Sequence, residues 1–561
     1  MSAQIQPPTT AGIYPENFSD DSFFFNRRSI VFAVLLVFLC VGFGLRVGNL
    51  GAESLSEDEL NKLQTVAEYR AEGLTGRNGE HPFLMKGLQT VSFTVADRLN
   101  SGVLAANKIS DEAALRFPTA FIGTLTILLL FLLISELFGS YIGLIAAGLW
   151  AVDPSAIGFD RIAKEDSFLL FFFLLCSYFW IRGQTLAERG AKNWTKYIWL
   201  AAAAFGAMLA SKYLPHLIAV TAAYYQIFQS IPATKWRLGK IRWLQFLIVA
   251  GVCFLIFNPT ILLPETWREM MTFSGEKRIG HDSYEFAGNL YPNQLTTWLA
   301  GVPWTFYYIF ILVKMPLLTL LFFLAGLPAI FRRKFGDGRY FIFFWAFMWF
   351  MPFTVLGGKF TRYFTVAEPV VLIIAAVGFY SFIRWLAPKI SSSANFTRFF
   401  STGCFVVLIA FSLYSSLSFA PHFRLYTNAL GGERANAGFY FPHDEFYDAS
   451  TREIVAEIIK SAGRGAVVAN ETPILFEHYL KKAGREDLIS VSLSDKSKIS
   501  ALNSGDFIVA VRGRRYFSND DYLKFLEQTT PVAEINFDAI TSAKIYQLNE
   551  ETALKINELA K

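Results

Sequence analysis

The chain of 561 residues is 53% hydrophobic and 16% aromatic, with 57 Phe and only 17% charged residues, against roughly a quarter charged in a soluble domain. That excludes an ordinary soluble enzyme and points to lipid as the solvent. The formal charge of +5 implies no nucleic-acid partner, because Lys and Arg in cytoplasmic loops account for it.

In chain order, residues 1–29 read as a cytoplasmic tail. The first apolar run, about 30–45, follows Arg27 and Arg28 and lacks a small-residue cleavage site, which describes an uncleaved signal anchor with its N-terminus inside. Further apolar runs lie near 112–135, 141–153, 166–182, 197–210, 213–230, 242–258, 315–331, 340–356, 364–385 and 398–420. Read against the roughly 20 residues needed to cross a hydrocarbon core, they bring the spans to eleven. Basic loops test the orientation, since Lys and Arg gather on the cytoplasmic side. Arg182, Arg189, Lys192 and Lys196 fall inside on this count, as do Lys235, Arg237, Lys240 and Arg242, then Arg332, Arg333, Lys334 and Arg339, then Arg384 and Lys389. The stretch 296–331 is expected to hold one span and an aromatic interfacial helix at 303–317.

The expected fold is therefore a polytopic α-helical membrane protein of the plasma (inner) membrane, membrane-embedded over 30–424, with an exoplasmic α/β domain at 425–561. In that last portion helical patterns at 450–461, 473–482 and 519–528 alternate with apolar runs at 465–469, 506–511 and 543–548. The cysteines Cys40, Cys176, Cys253 and Cys404 lie in apolar runs without disulfide or zinc spacing and read as packing residues.

The outside loops carry the chemistry. The first holds SEDE at 56–59, with Asp58 and Glu59, and GEHPFLMKG at 79–87, with His81 and Lys86. Ser56 and Glu59 also fit a helix capping box, which alone would make the acidic stretch a helix start. The second places Asp160, Arg161, Lys164, Glu165 and Asp166 directly before a Phe- and Leu-rich span, where an unpaired carboxylate is costly and ionisable groups are functional by default. Others carry Lys212, His281, Lys314, Lys359 and Arg362. Charges from five outside loops thus converge on one face, against the inward bias of Lys and Arg. His443, Asp444, Glu445 and Asp448 follow the last span without closed metal-site spacing and read as a linker packed on the membrane domain. No cofactor is called for, and a divalent metal is left open.

A carboxylate beside cations at a bilayer surface suits transfer of a sugar from a lipid-linked phosphate. The acid serves as general base on an acceptor hydroxyl, and Lys or Arg neutralises the phosphate leaving group. One carboxylate and direct displacement invert the anomeric centre. The chain resembles the C-superfamily membrane glycosyltransferases, with its likeness nearest the dolichyl-phosphate-mannose protein mannosyltransferases and bacterial relatives such as aminoarabinose lipid A transferases. Carrying the likeness are Asp58-Glu59, HPF at 81–83, RFPTAFIG at 116–123, RIAKED at 161–166, ASKY at 210–213, VKMPL at 313–317 and KFTRYF at 359–364. Relatives commonly read HPP where this chain has His81-Pro82-Phe83. The resemblance implies that Asp58 is the catalytic base, with Glu59 beside it, and that Asp166, with Glu165, forms a second acidic motif. It implies a polyprenyl- or dolichyl-phosphate sugar donor, contacted by Arg116, Lys212, His281, Lys314 and Arg362. His81, Lys86, Arg161, Lys164 and Lys359 complete the candidates for donor phosphate or sugar. The acceptor is a glycan, lipid or protein. Rival readings are a transferase of whole oligosaccharides and, in another class, a multi-span transporter or lipid-linked sugar flippase; the latter should show repeated halves and charges at the membrane midplane.

Overall fold

The computed structural model describes residues 28–104, 106–213, 220–224, 238–275 and 281–561. The tail before residue 28, most of the 213–230 span, and Lys235 and Arg237 lie outside the described residues. The chain starts with α1 (Arg28–Val47), then α2 (Glu57–Glu72) and α3 (Phe83–Ser101) in the first long loop. Next come α4 (Asp111–Phe138), α5 (Ser140–Val152), α6 (Pro154–Asp160), α7 (Glu165–Glu188), α8 (Trp194–Leu209), α9 (Lys240–Phe257) and α10 (Pro264–Gly275). A hairpin, β1 (Ser283–Phe286) with β2 (Asn289–Pro292), precedes α11 (Phe306–Lys314), α12 (Leu317–Ile330), α13 (Gly338–Val355), α14 (Glu368–Ile390) and α15 (Ala394–Leu417).

The protein is thus mostly helical and multi-pass, and every other expected span coincides with a helix. Among the described residues six of these, α1, α4, α7, α9, α14 and α15, are long and apolar enough to cross a bilayer. The pair α5–α6, bent by 62°, forms a seventh if taken as one span. That bend has a local cause. Pro154 forces the preceding residue out of helical geometry, and Asp153 caps the new helix by accepting from the Ser155 and Ala156 N–H groups.

Helix approach is set by small residues. A side chain at Gly326 or Gly378 would meet the carbonyl oxygens of Ile374 and Phe322 within 2.0 Å, so α12 and α14 can touch only through glycine, as membrane helices commonly do. The faces left over, such as Ile241, Leu244, Ile248 and Ile256 on α9, are exposed and apolar, which suits lipid.

The bundle has two distinct ends. At one, Arg116 of α4 pairs with Glu59, and α7 begins at Glu165. At the other, Arg182 of α7 pairs with Glu136 of α4 at 3.0 Å, and Phe138 packs on Phe335 beside the 332–339 basic stretch. Arg116 and Glu136 lie twenty positions apart on α4, about 30 Å of helix rise, which matches the thickness of a hydrocarbon core.

The C-terminal portion builds a five-stranded sheet from β3 (Val467–Asn470), β4 (Ile489–Ser492), β5 (Phe507–Val511), β6 (Ala533–Phe537) and β7 (Ile540–Gln547), in spatial order β4-β3-β5-β7-β6. β3 runs parallel to β4 and β5, while β7 is antiparallel to β5 and β6. The apolar runs at 465–469, 506–511 and 543–548 are the three central strands; β4 and β6 are edge strands that the pattern missed because they are short and half-exposed. One face of this sheet shares a core with the first loop. Val468, Phe507, Leu475 and Phe476 join Leu55, Leu60 and Val66 of the α2 region.

Candidate functional site

The ionisable residues at one end of the bundle form a layered cluster. Ser56 caps α2 and Glu59 returns the bond, so the capping box is present; this sets Asp58 on the first turn, pointing away from Glu59. The Asp58 side chain is 41% exposed. Its Oδ2 pairs with Lys164, lies 4.0 Å from an Arg362 nitrogen, and accepts a hydrogen bond from the Tyr447 hydroxyl at 3.0 Å. Burial pushes the carboxyl up, but Lys164, Arg362 and Lys62 outweigh it and hold Asp58 well below the usual carboxylate range. The same burial pushes Lys164 down to about 8, with Asp58 partly offsetting.

Behind this pair, Glu165 and Asp166 open α7. Glu165 is buried and lies 3.1 Å from Lys62 Nζ and 3.5 Å from His81 Nδ1. Asp166 Oδ1 accepts from Lys212 Nζ at 2.6 Å, and its buried Oδ2 has no hydrogen-bond partner among the described residues. Lys212 also sits 5.1 Å over the Tyr363 ring, and Arg362 lies 4.2 Å over the Phe360 ring. Burial drives His81 down to about 3 despite the pull of Glu165, so its imidazole is neutral. His281 stacks on Tyr516 with centroids 4.0 Å apart, and its Nε2 lies 3.8 Å from Glu57, which places it at the rim beside the residue preceding Asp58.

The structure therefore brings together Asp58, Lys164, Glu165, Asp166, Lys212, Arg362 and His81, with His281 at the edge. Six other candidates are placed elsewhere. Glu59 is fully buried, accepting two bonds from Arg116 and others from the Ser56 and Ala163 N–H groups, which leaves no lone pair facing the cleft. Arg116 spends its remaining donors on the carbonyls of Leu50, Glu53 and Ser54. Arg161 ties the 45–49 turn together through the carbonyls of Leu45, Arg46, Gly48 and Asn49. Lys314 is buried on Glu445 at 2.5 Å and on the carbonyls of Arg424 and Tyr426. Lys359 donates to the carbonyls of Val302 and Leu356, and Lys86 to that of Asn78 at 2.7 Å. These six are engaged in holding loops in place.

Four cluster members had no sequence signal strong enough to single them out for this site. Lys62 sits one turn beyond Asp58 on α2, the spacing that puts it on the same face. Tyr363 stands beside the named Arg362. Tyr447 and Asp444 come from the segment after the last span, where Asp444 accepts from Tyr284 and the Thr361 N–H and faces Arg362 at 3.6 Å. Among the described residues no group of three or more His, Cys, Asp or Glu side chains is arranged to hold a metal ion.

Alongside the cluster an apolar groove of about 590 Å³ is lined by Tyr213, Phe254, Leu255, Ile261, Leu262, Trp267 and Met270. Tyr213, which lines it, is the residue after Lys212.

Multi-pass helices, a charged cluster at one end and a C-terminal sheet domain are the parts that the sequence resemblance leads one to expect. Residues 105–262 match the family described as dolichyl-phosphate-mannose-protein mannosyltransferase, a stretch that contains Arg116, the Lys164-Glu165-Asp166 motif and Lys212. Among solved structures the chain is similar to ArnT from Cupriavidus metallidurans bound to undecaprenyl phosphate, at 14% identity and TM-score 0.47, covering 92% of this chain and 98% of that one. It is also similar to the oligosaccharyltransferase of Archaeoglobus fulgidus in its apo form, at 10% identity and TM-score 0.48, covering 87% and 70%. A search of curated proteins finds no match.

Proposed function

We propose that the protein is an inverting glycosyltransferase that moves one sugar from a polyprenyl- or dolichyl-phosphate donor to a lipid, protein or envelope-glycan acceptor. In this reading residues 1–29 are a cytoplasmic tail, 30–424 embed the catalytic domain in the plasma membrane, and 425–561 form an exoplasmic domain beside the site. The observation that carries it is the state of Asp58. It is a partly exposed carboxylate, kept ionised, within reach of Lys164 and Arg362, with the acidic pair Glu165 and Asp166 and the cation Lys212 immediately behind.

The donor phosphate would take Lys164, Lys212 and Arg362, and its lipid tail the apolar groove beside Tyr213. Asp58 then accepts the proton of the acceptor hydroxyl, whose oxygen forms the new bond to the sugar's anomeric carbon. The bond from that carbon to the phosphate oxygen breaks, its electron pair leaving on the phosphate, where the cations neutralise the growing charge. Because donor phosphate draws Lys164 and Arg362 away from Asp58, it also restores basicity that those cations suppress, so the base is activated when a donor is present. Supporting the assignment, dolichyl-phosphate-mannose-protein mannosyltransferase is the description of the family matched over residues 105–262.

The test is transfer in liposomes holding the purified full chain, supplied with a panel of polyprenyl-phosphate sugars and acceptor fractions of the cell envelope. Release of polyprenyl phosphate with an inverted linkage in the product supports the reading. Retention of configuration, or movement of intact donor across the bilayer without transfer, would overturn it in favour of a different mechanism or a flippase.

A further inference from the structure

The contacts of Asp58 are lopsided. Lys164, Arg362 and Tyr447 all meet Oδ2, and the side chain is 41% exposed. A carboxylate held by one oxygen presents the other in a defined direction, which is what a base needs to meet an incoming hydroxyl. Two of the three restraints are cations that a donor phosphate would compete for. Only Tyr447 is neutral and indifferent to that competition.

Tyr447 is itself held by an unusual piece of backbone. It and Asp448 are consecutive non-glycine residues in the left-handed region, with φ of 48° and 59°, a conformation that persists only where the surroundings impose it. What imposes it is the C-terminal domain. Arg514, from the loop after β5, grips both carboxylate oxygens of Asp448, with the Nε bond at 2.7 Å. Asp448 Oδ2 in turn accepts from the Glu57 N–H at 3.2 Å, and Arg514 also reaches Glu57 Oε2 at 3.4 Å and His281 Nε2 at 2.9 Å. The surrounding frame is equally tied. The Ser54 N–H donates to the Ala449 carbonyl, Arg452 holds the carbonyls of Gly51 and Ala52, and the Leu55 N–H donates to the Tyr479 hydroxyl.

We infer that Tyr447 is a positioning residue for the base, locked by the Asp448–Arg514 pair, and that through it the C-terminal domain forms one wall of the catalytic cleft and aims Asp58 Oδ1 at the acceptor. This rests on Asp58 being the base. With Tyr447 removed the carboxylate loses its one restraint that survives donor binding, so the chemical step suffers while donor binding does not.

The experiment is a double-mutant cycle on the full chain in liposomes, with kcat and the donor KM measured separately for Tyr447→Phe, Asp58→Asn and the pair, and melting of each followed in detergent. Tyr447→Phe keeps the buried ring, so the fold is retained. Its kcat is expected to fall roughly tenfold, the scale of one hydrogen bond to a charged group, with donor KM unchanged and with no further loss on top of Asp58→Asn. Arg514→Gln, which frees Asp448 and also gives up the bonds to Glu57 and His281 at the rim, should lower kcat in the same direction and by less. An unchanged kcat in Tyr447→Phe, or a loss that adds fully to that of Asp58→Asn, overturns the inference and leaves the base assignment standing. Full activity of Asp58→Asn overturns the base assignment itself.

Discussion

Two regions at the same end of the bundle use the same residue types to opposite effect. In the anchoring wall, each arginine makes four or more hydrogen bonds. Arg46 donates to Asp160 and to the carbonyls of Gly42, Trp150 and Ala151, Arg116 to Glu59 and three carbonyls, and Arg161 to four carbonyls. In the cleft, Asp58, Lys164 and Arg362 meet at long or shared contacts, Asp58 is 41% exposed, and Asp166 keeps a buried oxygen unpartnered among the described residues. Buried arginines with several acceptors each hold a loop in one place; a partly exposed carboxylate shared among cations has capacity left for a ligand. The neighbouring acids Asp58 and Glu59 make the contrast within a single helical turn.

The comparison can be broken or sharpened by substitution. The largest effect belongs to Asp58→Asn, which should lower turnover about 10³-fold, within the range of a lost general base, and leave thermal unfolding in detergent unchanged. If the protein instead melts early, Asp58 belongs with the wall. Next comes Arg116→Met, which strands Glu59 as a buried charge; stability should drop by about 3–5 kcal/mol, measured by chemical or thermal unfolding, and activity should be lost only as the fold is lost. A change in donor KM with an intact fold would move Arg116 into the cleft.

A pH profile separates the regions further. Lys164 is pushed down to about 8 by burial, Asp58 opposing, so the free protein carries its positive charge below that value and loses it as pH rises. Since kcat/KM for the donor reports the free enzyme, it should decline through about pH 8, and Lys164→Arg, which stays charged, should remove that decline. Asp58 is held well below the usual carboxylate range, so no acid limb is expected near neutrality. The smallest effect is a control. Lys482 and Asp111 form an ion pair with side chains 45% and 44% exposed, and Lys482→Ala should cost under about 1 kcal/mol and leave turnover unchanged.

Much of this was legible in the chain. Helices stand where apolar runs of the right length stand, because lipid leaves a backbone no other partner than itself. The acidic pair that opens α7 was visible because charge beside Phe and Leu is costly. What misled was counting charges without their partners. Lys314 between Val313 and Met315 read as a ligand contact, yet Glu445, 131 positions further on, neutralises it. Glu59 read as half of a catalytic pair, although the capping box already named its other role. Tyr447 carried no signal at all, since a tyrosine in a linker is ordinary until its backbone is forced left-handed against a carboxylate almost 400 positions earlier.

By itself the sequence determined the solvent, the helices and the end of the bundle at which ionisable groups collect, because transfer free energies act residue by residue. The tertiary structure decided which of those groups are free to act. That depends on whether every donor and lone pair finds a partner, and partners such as Glu445 for Lys314, Arg514 for Asp448 and Tyr447 for Asp58 come from distant segments that only packing brings within bonding distance.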